Sequence, residues 1–409
     1  MPMSTLDLWS PAARRDPAPL YAQLRAEAPL VQLAGPFDGK PVWLALRYAA
    51  TQDALRDARL CKDLRRLDPA ARARLCTFFQ AGDDEVNTSM FARSMLNVDP
   101  PDHTRLRSLV SRAFTPRRIA ELRGEIAAIT AEVLDGLRGR ETLDFLDEVA
   151  FPIPIRVIAG MLGVPFEDRE RFRGWAHAIM LPPLPDLRER RLAAVLEMRA
   201  YFDALFARRR GALGDDLVSA LLAVEEEGDR LDTDEVFGMV GLLLIAGYET
   251  TVNLLASGTL ALLQHPEQLA RLRAEPQRID TAVEELLRLA GPVELAPGRV
   301  FVEDTVFHGQ TIRAGELVLP VVMAANRDPE VFPEPERFDI DRAPNRHLAF
   351  GSGIHHCLGA PLARLEAAVA VPMILDRLPR LRLAVPAATI AWTSGLPVRG
   401  LQRLPVRID

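Results

Sequence analysis

Phe350-Gly-Ser-Gly-Ile-His-His-Cys-Leu-Gly359 sets one cysteine in a frame of glycines, directly behind two histidines. An apolar helical run, 360–378, follows it, so the Cys357 sulfur is expected at a helix N-terminus. Unpaired N–H groups and the helix dipole favour negative charge there, which lowers a thiol pKa and holds the group as thiolate. Gly351, Gly353 and Gly359 let the backbone turn tightly and approach a flat partner. A single thiolate on such a loop suits the axial ligand of a haem iron. An isolated cysteine is more often an inert small hydrophobe, but the spacing here argues against that. Zinc is the rival for His347, His355, His356 and Cys357. Structural zinc wants paired cysteines, and Cys61 and Cys76 lie far away in the chain.

Three more constellations could do chemistry. Glu285 and Arg288 stand three apart on a predicted helix, so they share a face and can pair. On a solvated surface such a pair adds little. Pro335-Glu-Arg-Phe338 could bring Arg337 as a second guanidinium, and a buried carboxylate–guanidinium network is over-determined in geometry. Within the most apolar stretch, Ala246-Gly-Tyr-Glu-Thr-Thr251 sets two small residues ahead of a carboxylate and two hydroxyls. Ala246 and Gly247 leave room for a flat ligand or a diatomic. Thr250 can turn its hydroxyl to the Ala246 carbonyl and loosen the helix. Glu249 is expensive to bury, which makes it a functional candidate; a hydrogen-bonded kink without chemistry is the plainer alternative. His103 and Arg107, four apart, share a face suited to carboxylates or simply to solvent.

These residues need elements to hold them. Helical periodicity dominates, at 19–28, 51–57, 103–113, 116–136, 153–162, 167–179, 187–210, 233–264, 266–275 and 279–289. Strand signals are few, at 41–46, 299–302, 306–312 and 317–322, with a hairpin pattern at 390–406. No linker or repeat divides the 409 residues, so the expected fold class is mostly α with minor β, a single domain over 1–409. With 48% hydrophobic and 26% charged residues the chain can bury a large core. A formal charge of −6 is mild and gives no sign of a nucleic-acid binder. Three scattered cysteines cannot form a disulfide framework, and 1–25 shows no signal-peptide pattern; both favour a cytoplasmic protein. Glu249 and Asn253 interrupt the apolar stretch 236–263, so no uninterrupted span approaches the roughly 18 residues that cross a bilayer. It reads as a helix buried through the centre of a large protein, with no membrane partner.

The pattern FxxGxHxCxG, which 350–359 fits at every fixed position, resembles the haem-binding loop of the cytochrome P-450 superfamily. The likeness covers nearly the whole chain and looks like the soluble bacterial type. It implies haem b between the long central helix and the cysteine-loop helix, with Cys357 as iron ligand. It implies that His103, Arg107, Arg299 and His355 bind the propionates, with Phe350, Gly351, Ala246 and Gly247 beside the cofactor. Glu285, Arg288 and Arg337 would form a structural network behind the haem. Thr250 and Glu249 would handle protons during oxygen activation. The pocket would draw on the loop 77–96, the helices of 166–190 with their Pro182-Pro-Leu-Pro185 loop, Leu243, Ala246, Val293, Leu295 and Ala296. A hairpin around Leu396 would close it. These segments are mostly apolar, which favours a medium-to-large hydrophobic substrate. Glu294 could anchor a basic group, a surface carboxylate being the simpler role.

The function so implied is a haem-thiolate monooxygenase hydroxylating or epoxidising a medium-to-large hydrophobic molecule, such as a secondary metabolite, with O2. No dinucleotide fingerprint follows a strand, and no cysteine cluster could hold iron–sulfur. Two electrons, ultimately from NAD(P)H, would therefore come through a separate ferredoxin or flavodoxin with its reductase, to a monomer. Arg105 and Arg112 could dock such an acidic partner, or merely face solvent. Two other classes stand beside this one. A peroxide-driven peroxygenase or oxidative-coupling enzyme would share the fold, whereas a non-catalytic haem sensor would not need the Glu249–Thr250 pair.

Overall fold

The computed structural model describes residues 8–36, 38–76, 93–179, 181, 185–226, 229–393 and 396–409. Its axis is the helix Thr233–Gln264. Asp232 starts it with a capping box: its carboxylate accepts from Glu235 N at 2.8 Å, and Glu235 returns the bond to Asp232 N at 2.9 Å. Apolar residues occur on every face of this helix, so most of it must be buried. It is long and apolar enough to cross a membrane, yet 78% of its most apolar stretch lies inside the protein. Pro152–Leu162, Ile279–Ala290 and Ala360–Arg377 pack around it. Ile158, Phe237, Leu286 and Val371 belong to the one large core that results.

The helix expected at 116–136 comes in two pieces, Pro116–Glu121 and Arg123–Asp135. Leu122 N donates to Ile119 O at 3.1 Å, a tight turn that ends the first before the second restarts from the Leu122 carbonyl.

A five-stranded sheet flanks the helices, in the order Leu30–Ala34, Pro41–Ala45, Leu317–Pro320, Arg299–Phe301, Leu60–Cys61. Only the pairing of Pro41–Ala45 with Leu317–Pro320 is parallel. Both faces are covered, and the period of two sorts the side chains between them. Val42, Leu44, Val300, Leu317 and Leu319 enter one cluster, and Trp43, Ala45, Phe301 and Val318 enter the other. The hairpin expected at 390–406 is present in shortened form: Trp392 bridges Leu401 antiparallel, Thr393 N donates to Gly400 O at 2.8 Å and Gln402 N donates to Ala391 O at 2.9 Å. Pro405–Arg407 is the central strand of a three-stranded sheet, antiparallel to Thr142–Asp144 on one side and to Arg382–Leu383 on the other.

Candidate haem-thiolate site

The cysteine loop is built by its glycines. Gly351 has φ 70° and Gly353 has φ 73°, a conformation that side chains strain against. A Cβ on Gly353 would also fall 2.9 Å from the Leu55 carbonyl, so only glycine fits there. Gly351 N donates to Leu348 O at 2.8 Å, and Cys357 N donates to Phe350 O at 2.9 Å. The loop thus closes on itself and leads into the helix Ala360–Arg377. Cys357 is a free cysteine, surrounded by protein yet with its side chain still exposed.

The expectation of a lowered thiol pKa needs correction. Burial pushes the Cys357 thiol up; the Gly359 and Ala360 N–H groups, with Arg107 and Arg364, offset only part of this. A coordinating metal removes a thiol proton outright, so the loop is suited to hold thiolate with iron bound rather than by itself.

Arg107 connects this sulfur to a cluster of nitrogen-bearing side chains, His103, His355, Arg299 and Lys62. The His103 and His355 rings meet edge to face with centroids 4.4 Å apart. Neither nitrogen of His103 has a hydrogen-bond partner, nor does Arg299 Nε, although Arg299 Nη1 donates to Ala54 O at 2.8 Å. Buried nitrogens without partners are costly, so such a set calls for an anionic ligand. Lys62 joins them and was not foreseen. The strand pairs Leu60–Phe301 and Cys61–Val300, continued by one residue, set Lys62 opposite Arg299. Burial, then Lys62, His103, Arg299 and Arg107, push His355 down to about 2. Burial and the Arg299 charge push Lys62 down, and burial brings Arg299 to about 10. The Asp99 carboxylate is taken up by the backbone N–H groups of Lys62 and Asp63, each at 3.1 Å to its nearer oxygen. The Arg107 and Arg299 guanidiniums, with Lys62 and the unpaired nitrogens of His103 beside them, fit the two carboxylates of a haem.

On the central helix, Thr250 Oγ1 donates to Ala246 O at 2.7 Å, as expected. Thr251 repeats the bond to Gly247 O at 3.3 Å, and Asn253 Nδ2 donates to Glu249 O at 2.9 Å. Ala246 is exposed and Gly247, Glu249 and Thr250 are half-buried, so the helix is least covered at this turn. Gly247 departs from expectation. A Cβ there would meet Ile158 Cδ1 at 3.2 Å, so its smallness lets the helix Pro152–Leu162 pack close rather than making room for a ligand. Burial raises the Glu249 carboxyl pKa.

The Glu285 network is present with a changed member. Arg288 Nε and Nη2 donate to the two Glu285 oxygens at 2.7 and 2.8 Å, with both residues buried. Arg288 also donates to the carbonyls of Asn326, Pro335 and Arg337 at 2.9, 2.7 and 3.1 Å. Arg337 contributes only that carbonyl. Its guanidinium points to solvent and pairs with Glu334 at 3.0 Å, because the backbone that turns its C=O inward turns its side chain out. Arg342 is the second guanidinium, donating to Glu285 Oε1 at 3.2 Å. The Asp339-Ile-Asp-Arg342 run held that arginine in plain view, but only the turn after Arg337 shows which one points inward. Asn326 Oδ1 accepts from Leu348 N at 2.7 Å, which carries the network to the start of the cysteine loop.

The pocket candidates divide. Val293 and Leu396 are partly buried, and Leu243 retains slight exposure. Ala296 packs with Leu55, Val322 and Ala325. Leu295 turns away, fully buried with Leu8 and Tyr21. Glu294 is neither a surface carboxylate nor free to bind a ligand: Arg14 donates to both its oxygens at 2.6 and 2.8 Å, and Tyr21 at 2.6 Å. Residues 77–92 of the expected pocket loop, and 182–184 of the proline loop, lie outside the described residues. Arg105 is engaged by Asp229 and Glu235, so it is not available for the docking patch expected with the exposed Arg112.

A model of the Cytochrome P450 family matches residues 76–380. Cytochrome P450 monooxygenase PikC of Streptomyces venezuelae is 44% identical over 396 residues, 96% of this chain and 91% of that protein. Among solved structures, the myxobacterial cytochrome P450 CYP267B1 in complex with myristic acid superposes with a TM-score of 0.92 at 44% identity, covering 98% of each chain. The cytochrome P450 PksS of the Bacillus subtilis bacillaene polyketide synthase gives 0.90 at 38% identity, over 99% of this chain and 100% of that one.

Proposed function

Since this chain belongs to the cytochrome P450 family and is therefore an oxidoreductase of the monooxygenase type that carries haem, we propose that it acts, as a single domain over 1–409, on a medium-to-large hydrophobic secondary metabolite of polyketide type. It inserts one atom of O2 into that substrate by hydroxylation or epoxidation and reduces the other to water with two protons and two electrons. The electrons come ultimately from NAD(P)H through a ferredoxin or flavodoxin and its reductase. We place the enzyme in the cytoplasm as a monomer.

The unpaired nitrogens of His103 and Arg299, set beside the Arg107 that also acts on Cys357, carry this reading. Bound haem b supplies oxygen activation, with the Cys357 sulfur as its iron ligand. His103, Arg107, Arg299, His355 and Lys62 hold its carboxylates. Thr250 keeps its hydroxyl hydrogen on the Ala246 carbonyl, which leaves its oxygen lone pairs to accept a hydrogen bond at a fixed point. Glu249, its pKa raised by burial, can give or take a proton beside it. Leu243, Val293 and Leu396 exclude water and offer apolar contact to substrate. The polyketide class is supported by the name of PksS, and apolar ligands generally by the fatty acid bound to CYP267B1.

The test is a titration of the ferric protein with macrolides, terpenes, peptides and fatty acids, read by its absorption spectrum. A saturable low-spin to high-spin shift with one class identifies the substrate type. Haem binding with no shift from any free molecule overturns the free-substrate reading.

A further inference from the structure

Glu284 stands one residue before the network carboxylate Glu285, on the neighbouring side of the helix Ile279–Ala290. It makes a second network that shares no hydrogen-bond partner with the first among the described residues. Arg364 Nε and Nη2 donate to its two oxygens at 2.6 and 2.9 Å. His347 Nε2 lies 3.0 Å from Oε2. Ala349 N donates to His347 Nδ1 at 3.2 Å, so the ring proton belongs on Nε2 and is donated to Glu284. The His347 side chain is 2% exposed. The Arg364 guanidinium lies over the Phe350 ring, 4.5 Å from its centroid. Phe350 is the residue whose carbonyl accepts from Cys357 N.

One carboxylate thereby ties together a core helix, the chain entering the cysteine loop and the helix leaving it. Burial would raise the Glu284 pKa, but Arg364 and His347 hold it at about 2, so the tie stays charged across any working pH. We infer that Glu284, His347 and Arg364 are positioning residues that lock Phe350 and, through its carbonyl, the backbone of Cys357, keeping the sulfur in place as iron ligand. The inference rests on the haem-thiolate reading. Ligand-orienting shells of this kind are worth about 10- to 100-fold in metal sites generally.

The test uses the haem-loaded protein, reduced and bound to carbon monoxide, whose absorption band distinguishes thiolate from thiol ligation. The quantity read is the rate at which the thiolate band converts to the thiol band in mild denaturant. E284Q and H347A are expected to convert about tenfold faster than native protein. H347Q, whose amide offers both a donor and an acceptor, is expected to return the native rate. Equal rates for H347A and H347Q, or a native rate in E284Q, overturn the proposal. A role confined to general stability would speed the conversion only as far as the fall in unfolding midpoint accounts for, and a distant surface variant of equal midpoint would convert as fast. Native protein that never shows the thiolate band would instead defeat the haem-thiolate reading itself.

Discussion

Arg342 Nε donates to Glu285 Oε1 at 3.2 Å, while the Arg337 guanidinium, five residues earlier, lies on the surface with Glu334. Only the first of these arginines bonds to a buried charge. R342A should therefore lower stability by about 2 kcal/mol, the usual worth of a hydrogen bond to a charged group, and R337A by no more than about 0.5 kcal/mol. Denaturant midpoints of the two variants check this. The reverse order would restore Arg337 to the network.

Lys62 and His103 should both hold haem carboxylates, although only His103 belongs to a recognisable motif. Transfer of haem to an excess of a haem-free acceptor protein measures retention. K62M and H103A should each release haem about tenfold faster or more, as the loss of one charge-assisted bond implies. K62M with native retention would make Lys62 a passive buried cation.

Thr250 keeps its hydroxyl on the Ala246 carbonyl, and burial makes the carboxyl of its chain neighbour Glu249 easier to protonate. T250A should lower product formation about a hundredfold while electrons continue to be consumed and hydrogen peroxide accumulates. Measuring product and peroxide per electron pair separates this from simple loss of binding, which would reduce both.

Gly351 and Gly353 share a left-handed backbone but not their surroundings. A Cβ on Gly351 would meet nothing nearer than 3.9 Å, whereas on Gly353 it would press on backbone at 2.9 Å. G351A should cost about 1 kcal/mol of backbone strain. G353A should cost more and reduce the haem bound per chain. Unfolding midpoints with haem content read both effects.

Glu366 lies fully buried in the cysteine-loop helix with one oxygen lacking a partner, and burial lifts its pKa from 4.5 to about 8. Between those values the unfolded chain has lost the proton that the folded chain keeps. Stability linked to this group is therefore fully present below pH 4.5 and lost as pH rises towards about 8. E366Q, which mimics the protonated acid, should match native stability at the acid end and exceed it by roughly 1 to 3 kcal/mol at the alkaline end. Denaturant midpoints across that range decide it; a parallel offset at every pH would rule out the titration.

Local pattern carried much of this protein. The apolar run of 233–264 matches the bounds of the central helix, because a long run of apolar residues on every face forms a helix whatever packs on it. The glycine spacing around Cys357 and the three-residue step from Glu285 to Arg288 are short-range geometry, which sequence encodes directly. What tertiary structure decided is which way side chains of irregular segments point and what meets them from afar. Arg342 displaced Arg337 through one turn of chain, and Glu294 was claimed by Arg14, 280 residues away. Lys62 joined the cluster around His355 only because its strand pairs with the one bearing Arg299. Gly247 serves Ile158 on another helix. No local periodicity records such meetings, since they depend on how distant segments pack and on where burial leaves a charge without water.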